Sequence, residues 1–201
     1  MNPQNKIAEL IQQEIAALQN IPLGPELHET VELIHQQVHK MNAKLVFSGM
    51  GKAGQVGSNI ATTLSSTGTP SIFLHPSEAQ HGDLGILQPN DVLFLVSNSG
   101  KTTEILLLVQ LAKSLYPEVK IICMTGHPDS PLSEKADITL FTGNPNEICP
   151  LGLTPTTSTT VMGVIGDMLV VMLMEKINFT VKDYAQRHHS GYLGEKSRNH
   201  E

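Results

Sequence analysis

Ser97-Asn98-Ser99-Gly100-Lys101-Thr102-Thr103-Glu104 places hydroxyls, a glycine and a lysine directly after the apolar run Val92 to Val96. A segment with helical character, Thr103 to Tyr116, follows. A buried strand that ends in such a turn and opens a helix presents unpaired backbone N–H groups and the positive end of a helix dipole at one point. The fitting occupant is an anion, most often a phosphate. One Ser or Thr would be explained as a helix cap. Four hydroxyls within the seven residues 97–103 exceed that need. Gly100-Lys101-Thr102 resembles the end of a P-loop, but Leu95 stands where a P-loop needs its first glycine, which disfavours an ATPase.

Other stretches offer groups that could act around that anion. Gly49-Met50-Gly51-Lys52-Ala53-Gly54 matches G-x-G-x-x-G after a strand. A dinucleotide fold would carry an acidic residue at the end of the next strand, where this chain has His75-Pro76, and Glu78 beyond it is a poor substitute. The turn still sets Gly51 and Lys52 at a helix entrance. The loop His75 to Gly85 holds His81, suited to acid–base work near neutral pH, whereas Pro76 after His75 favours a conformational role for that histidine. Glu147-Ile148-Cys149-Pro150-Leu151-Gly152 precedes a second hydroxyl cluster, Thr154 to Thr160, which caps a long apolar helix and contributes Thr157 or Ser158 to a ligand. Cys149 has no accompanying histidine motif and is expected to be buried as a small apolar residue. His188 opens a His-rich stretch near the end. His81, Asp83, Glu147 and His188 lack metal-ligand spacing, so no metal is expected.

These groups need a scaffold that brings distant turns to one edge. Strands are expected at 44–48, 71–74, 92–96, 120–124 and 138–141, alternating with helices at 52–66, 103–116 and 157–176. That alternation predicts an α/β three-layer sandwich around a five-stranded parallel sheet, with ligands at the carboxyl ends of the strands. Two amphipathic helices precede the first strand. The first carries Ile7, Leu10, Ile11, Ile15 and Leu18, and the second runs from about Glu26 to Met41. Ile21-Pro22-Leu23-Gly24-Pro25 separates them. Their apolar faces are expected to pack on the sheet or on a second subunit.

With 201 residues, 40% of them hydrophobic, the chain suits one compact domain, 1–201. A formal charge of -6 and the absence of tryptophan argue against a nucleic-acid surface. Cys123 and Cys149 do not form a disulfide framework, residues 1–18 do not read as a signal peptide, and no run reaches the roughly 18 apolar residues of a membrane span. The expectation is a cytoplasmic protein without membrane or nucleic-acid partners.

The ordered set of motifs resembles the SIS (sugar isomerase) domain of arabinose-5-phosphate isomerases. The pieces are Gly49 to Gly54, Ser66-Thr67-Gly68-Thr69-Pro70, the whole His75 to Gly85 loop, Ser97-Asn98-Ser99-Gly100, Glu147 to Thr160 and Gly166-Asp167. The resemblance runs from about Ile7 to Gly194. Lys101 stands where the family usually has Glu, and His188-His189-Ser190-Gly191 replaces His-Pro-Gly-Gly. Most family members continue into a pair of CBS modules, which this sequence does not include.

The resemblance implies interconversion of D-ribulose 5-phosphate and D-arabinose 5-phosphate, feeding Kdo and hence lipopolysaccharide or capsule, with no cofactor. It implies Ser97, Asn98, Ser99 and Thr102 on the phosphate, assisted by Gly51 and by Thr157 or Ser158. Lys52 would stabilise the enediolate, and His81, Glu104, Glu147 and His188 form the acid–base pool. Glu104 has an equally weighted alternative, an ion pair with Lys52. A homo-oligomer, most simply a tetramer with His188 reaching a neighbour's site, follows from the family. Without CBS modules in the sequence, a separate expectation is inhibition by Kdo or CMP-Kdo bound directly in the cleft, its carboxylate met by the histidines and lysines there. Two other readings remain open: a non-catalytic phosphosugar sensor and a hexulose-phosphate isomerase.

Overall fold

The structure, a computed structural model, describes residues 3–22 and 24–198, so Leu23 within the predicted interruption lies outside the described residues. Five parallel strands form one sheet in the order β2-β1-β3-β4-β5: β1 Leu45–Gly49, β2 Ser71–Phe73, β3 Val92–Val96, β4 Lys120–Thr125 and β5 Ile138–Phe141. Every residue of β1 and β3 is buried, because helices cover both faces of the sheet centre.

Side-chain alternation along the strands divides the core into two layers. Leu45, Phe47, Phe94 and Ile122 point to one face. There they meet α2 (Glu26–Ile34), α3 (Gly51–Ser66) and α6 (Thr157–Lys176). The Phe47 and Phe94 rings stack 4.5 Å apart at the middle of this layer. Truncating Phe94 would cost about 3–5 kcal/mol through the cavity left behind. Val46, Leu93, Leu95 and Ile121 point to the other face. Ile105, Leu108, Val109 and Ala112 of α5 (Thr103–Leu115) cover them. The short α4 (Pro76–Ala79) lies beside α5.

The leading helices behave differently from each other. In α2, Val31 and Ile34 are buried. Val38 is buried too, although α geometry gives way to a π-helical segment over His35–Lys40. On α1 (Pro3–Gln19), Ala17 and Leu18 pack against the core, while Ile7, Ile11 and Ile15 stay exposed. After α6 the chain adds two short helices that pack on each other, α7 (Val181–Ala185) and α8 (Gly191–Arg198).

The sequence has no run of about 18 consecutive apolar residues, yet one helix passes a coarser test of length and hydropathy. α6 has 20 residues and a mean hydropathy of 1.6, long and apolar enough by those measures. In this fold it is a core helix, with Val161, Met162, Ile165, Leu169 and Leu173 buried.

The sheet order fixes where a ligand can enter. Chain connections run in opposite directions from β1 and β3, which leaves a crevice beyond their carboxyl ends. Gly49, the last residue of β1, pairs with Val96, the last of β3. The glycine turn and the serine turn therefore lie side by side. At the opposite edge of the sheet, buried Asp91 accepts hydrogen bonds from the Lys44 backbone N–H and the Lys44 ammonium, at 2.9 and 2.6 Å. Structural charge pairing is thus kept away from the crevice.

Candidate active site

A cavity of about 260 Å³ opens at the β1–β3 crevice. Met50, Lys52 and Ala53 line it from the first turn, and Ser97, Asn98, Ser99 and Thr102 from the second. Pro155, Ser158, Thr159 and Met162 close it from α6 and the loop before it.

Glycine makes this proximity possible. A Cβ on Gly54 would lie 2.4 Å from the Gly49 carbonyl oxygen, so only glycine lets the start of α3 seat against the end of β1. Gly51 has φ +57, a left-handed conformation that glycine adopts without strain. Gly51 itself starts α3 and is not among the residues that line the cavity.

No side chain caps the N-terminus of α3 or of α5. Two helix dipoles thus end at one cavity with their first turns open to a ligand. Ser97 is buried, its N–H donates to the Met124 carbonyl at 3.0 Å, and its hydroxyl pairs with that of Thr102 at 3.0 Å. The Ser99 hydroxyl accepts from the Lys101 N–H at 3.2 Å, and the side chain stays exposed. The Asn98 carboxamide oxygen is buried without a partner. Lys52 is exposed at the mouth and has no ion pair among the described residues. Glu104, half-buried in the first turn of α5, does not pair with it, so the ion-pair alternative is not realised.

The α6 entrance is organised by Glu147. Its Oε2 accepts from the Thr156 N–H at 2.7 Å, the Thr156 hydroxyl at 2.9 Å and the Ser158 N–H at 3.3 Å. Its Oε1 accepts from the Ser158 hydroxyl. Burial pushes the carboxyl pKa up, but the Ser158 and Thr156 donors together hold it below the ordinary value. Thr157 is buried on the other side of the helix. Its hydroxyl donates to Glu14 of α1 at 3.0 Å and accepts from the Ile148 N–H at 3.2 Å. Of the two residues expected to assist the phosphate, Ser158 reaches the cavity and Thr157 does not.

The histidines lie elsewhere in the single chain. His75 caps α4, its Nδ1 accepting from the Ser77 N–H at 3.3 Å, which is the conformational role its proline neighbour suggested. His81 is exposed in the turn after α4 and does not line the cavity. His188 stacks on Tyr184 with ring centroids 3.7 Å apart, its Nδ1 3.0 Å from the Tyr184 carbonyl oxygen. It belongs to the α7–α8 unit beyond the far end of α6, and a helix of that length spans about 30 Å. Phe179, which leads into that unit, lies against Gly68 at the far end of α3. One chain therefore brings together Lys52, the serine turn and the Ser158–Glu147 pair, but not His81 or His188.

Cys149 departs from the expectation of burial. It is only half-buried, and its sulfur accepts from the Thr154 N–H at 3.3 Å. Backbone donors at Thr154 and Leu153 lower its pKa to about 7. Among the described residues, no group of three acidic, histidine or cysteine side chains is placed to hold a metal. Met50, Ala53, Pro155, Thr159 and Met162 are cavity residues that the motifs alone did not single out. Met162 follows Ser158 by four positions, so one helical turn was the available signal.

Residues 37–172 match the SIS domain family model. The chain is 46% identical over 174 residues to arabinose 5-phosphate isomerase KdsD of Yersinia pestis, covering 87% of this chain and 52% of that protein. It is 50% identical over 151 residues to the Pseudomonas aeruginosa KdsD, covering 75% and 46%. The chain thus spans about half the length of the curated relatives it matches. Among solved structures, a proposed phosphosugar isomerase involved in capsule formation from Bacteroides fragilis superposes with TM-score 0.92 at 60% identity, covering 94% of this chain and 98% of that one. An E. coli CFT073 protein in complex with arabinose 5-phosphate superposes with TM-score 0.84 at 34% identity, covering 94% and 100%. A cavity between two open helix N-termini at the crevice of a 2-1-3-4-5 sheet, matched along most of the chain, places this protein in the SIS-domain family.

Proposed function

We propose that this chain is an aldose–ketose isomerase that interconverts D-ribulose 5-phosphate and D-arabinose 5-phosphate. The observation that carries the reading is the cavity between the uncapped N-termini of α3 and α5, with Lys52 at its mouth and four serine-turn residues on its wall. The relatives named as arabinose 5-phosphate isomerases, and the related structure with arabinose 5-phosphate bound, support that substrate over a six-carbon ketose phosphate.

In this mechanism Ser97, Ser99, Thr102 and the α5 N–H groups hold the phosphate, with Asn98 and Ser158 beside it. A base removes the proton from C1 of the ketose, the C1–C2 bond becomes an enediolate, and the proton returns to C2. Lys52 stabilises the negative charge that develops on the enediolate oxygens. The Glu147 carboxylate is a weak base, since four hydrogen bonds favour its ionised form. We assign it to positioning α6 and Ser158, and assign carbon–proton transfer to His188. His81 serves exchange at the oxygens or ring opening, and Glu104 stands by the phosphate turn as a further acid–base group.

His188 can serve only from a second copy of the chain, which is the argument for a homo-oligomer, a tetramer in the simplest arrangement. The exposed Ile7, Ile11 and Ile15 of α1 supply an apolar face for it. Two free cysteines suit a reducing, cytoplasmic setting, and the product would feed Kdo formation. The open helix N-termini would also accept the carboxylate of Kdo or CMP-Kdo as an inhibitor.

Ribulose 5-phosphate turnover with the product identified by NMR tests the activity. Absence of arabinose 5-phosphate would overturn it, and tight phosphosugar binding without turnover would leave a sensor. Mixing Lys52→Ala with His188→Ala subunits tests the shared site. Each variant alone is expected to be nearly inactive, and the mixture to recover a fraction of wild-type turnover. No recovery after subunit exchange would place His188 outside the site.

A further inference from the structure

The α7–α8 unit holds His188 by contacts that constrain different parts of the residue. Its backbone is fixed from α8. A Cβ on Gly194 would lie 2.4 Å from the His188 carbonyl oxygen, so only glycine lets α8 seat there. The Arg198 guanidinium donates to the carbonyls of His188 and His189 at 3.3 and 3.5 Å. The ring is fixed from α7. The Tyr184 ring stacks on it at 3.7 Å with 6° between the planes, and Nδ1 lies 3.0 Å from the Tyr184 carbonyl oxygen. The Arg187 and His188 N–H groups close the turn onto the same carbonyl at 3.0 and 3.1 Å. Thr180 and Asp183 cap α7 reciprocally and so anchor Tyr184.

The partner of Nδ1 decides the chemistry of the ring. A carbonyl oxygen can only accept, so Nδ1 must carry a proton. In the neutral ring Nε2 is then the nitrogen with the free lone pair. In the imidazolium Nδ1–H still donates to the carbonyl, so the proton that the ring gains and loses is the one on Nε2. Nε2 has no hydrogen-bond partner among the described residues. The carbonyl alone does not fix the ring, because the χ2 torsion of histidine is broad. The stacked Tyr184 ring confines the imidazole to the plane that brings Nδ1 to the carbonyl.

We propose that Tyr184 is a positioning residue whose ring and carbonyl hold His188 as the Nδ1–H tautomer, which makes Nε2 the base. This rests on the isomerase reading above, in which His188 moves the carbon proton. Nε2 takes the proton from C1, the C–H electron pair becomes the C1–C2 double bond, and the carbonyl pair moves to the O2 oxygen that Lys52 stabilises. The same nitrogen then returns the proton to C2 while the hydroxyl proton passes from O1 to O2, the exchange given to His81.

The test is a long-range ¹H–¹⁵N NMR correlation of the imidazole nitrogens in the full ¹⁵N-histidine-labelled chain, without substrate, at about pH 8.5, where ordinary imidazoles are neutral. His188→Gln assigns the signals. Exposed His189, whose ring has no hydrogen bond among the described residues, is the internal reference. The expected result is a protonated Nδ1 and a bare Nε2 in His188, unlike His189. Tyr184→Leu keeps the carbonyl and removes the stack, so it should give a mixture of tautomers and lower kcat about 10–100-fold with KM unchanged. Tyr184→Phe should keep wild-type values of both, because the stack needs only the ring. A bare Nδ1 in wild-type His188 would overturn the proposal, and that measurement needs no variant to fold. So would an unchanged tautomer or an unchanged kcat in Tyr184→Leu. Because the tautomer is read without substrate, failure of the isomerase reading shows separately, as absent turnover with Nδ1 still protonated.

Discussion

α5 and α6 are both entered from hydroxyl-rich loops at the carboxyl edge of the sheet, yet their first turns are treated in opposite ways. At α5 no side chain caps the helix, and the Ser97 and Thr102 hydroxyls bond only each other across the turn. At α6 a carboxylate from nine residues upstream takes the Thr156 and Ser158 N–H groups and both nearby hydroxyls. The difference teaches that a cluster of Ser and Thr has free donors to offer a ligand only where the protein leaves the helix end unsatisfied. The same composition served by an internal carboxylate spends its donors on holding the helix, even where Ser158 and Thr159 border the cavity.

That contrast makes the two turns separable by mutation. Lys52→Ala removes the cation at the mouth of the open turns and is expected to lower kcat about 10²–10³-fold, with no change in Tm because the side chain is exposed. A Tm loss of several degrees would show Lys52 to be part of the scaffold. Ser97→Ala removes one hydrogen bond to a charged phosphate, worth about 1.5–3 kcal/mol, so KM should rise about 10–100-fold while kcat changes less. Equal losses in kcat and kcat/KM would move Ser97 from holding to chemistry.

Glu147→Gln should act mainly on stability, lowering it by about 1–2 kcal/mol at neutral pH through the weakened helix cap. Its pH dependence has a defined sign. The carboxyl pKa is lowered in the folded state, so its contribution is full above the ordinary value of 4.5 and is lost as pH falls through the lowered folded value. Urea unfolding at a series of pH values should show the gap between wild type and variant closing in that acid window. A gap that persists there would mean the carboxylate charge is not what holds α6. Thr157→Val has the smallest expected effect, about 1 kcal/mol from the lost Glu14 contact, with KM for the phosphosugar unchanged. A raised KM would return Thr157 to the ligand.

The framework was legible because its strands are continuous apolar runs bounded by Gly, Pro and Ser. Val92–Val96, Ile138–Phe141 and Thr157–Lys176 have the predicted bounds, and β1 is displaced by one residue, to Leu45–Gly49. The π-helical segment His35–Lys40 was not legible, since Val38 keeps the helical spacing of buried residues whichever hydrogen-bond pattern the backbone adopts. α4, α7 and α8 have at most eight residues each, too few for periodicity to register. In the site, residues attached to a turn could be placed because the turn follows its strand. Glu147 was visible as a carboxylate, but its service to α6 depends on a loop path that no spacing rule describes. The Glu14–Thr157 pair joins residues 143 positions apart and is invisible to any local pattern. His188 was read, through the family resemblance, as a residue that reaches a neighbour's site, and within one chain it sits on the α7–α8 unit away from the cavity.

The construction of the cavity from Met50, Ser97 and Ser158 also has a consequence for how the chain is made. These residues come from separate crossovers, and contacts between such distant segments are slow to close. A growing chain exposes β1, β3 and the serine turn before α6 exists. Until then Leu45, Phe47 and Phe94 lack the Ile165 and Leu169 that share their core layer. A nascent chain stopped short of Thr157 has the anion turn but an open apolar sheet face, the condition in which partly folded proteins aggregate. Docking of α6 closes the core and the cavity in one event. If the cavity holds a phosphosugar as proposed, retention on a phosphosugar resin that exceeds what the serine turn alone supports would report that α6 has found its place.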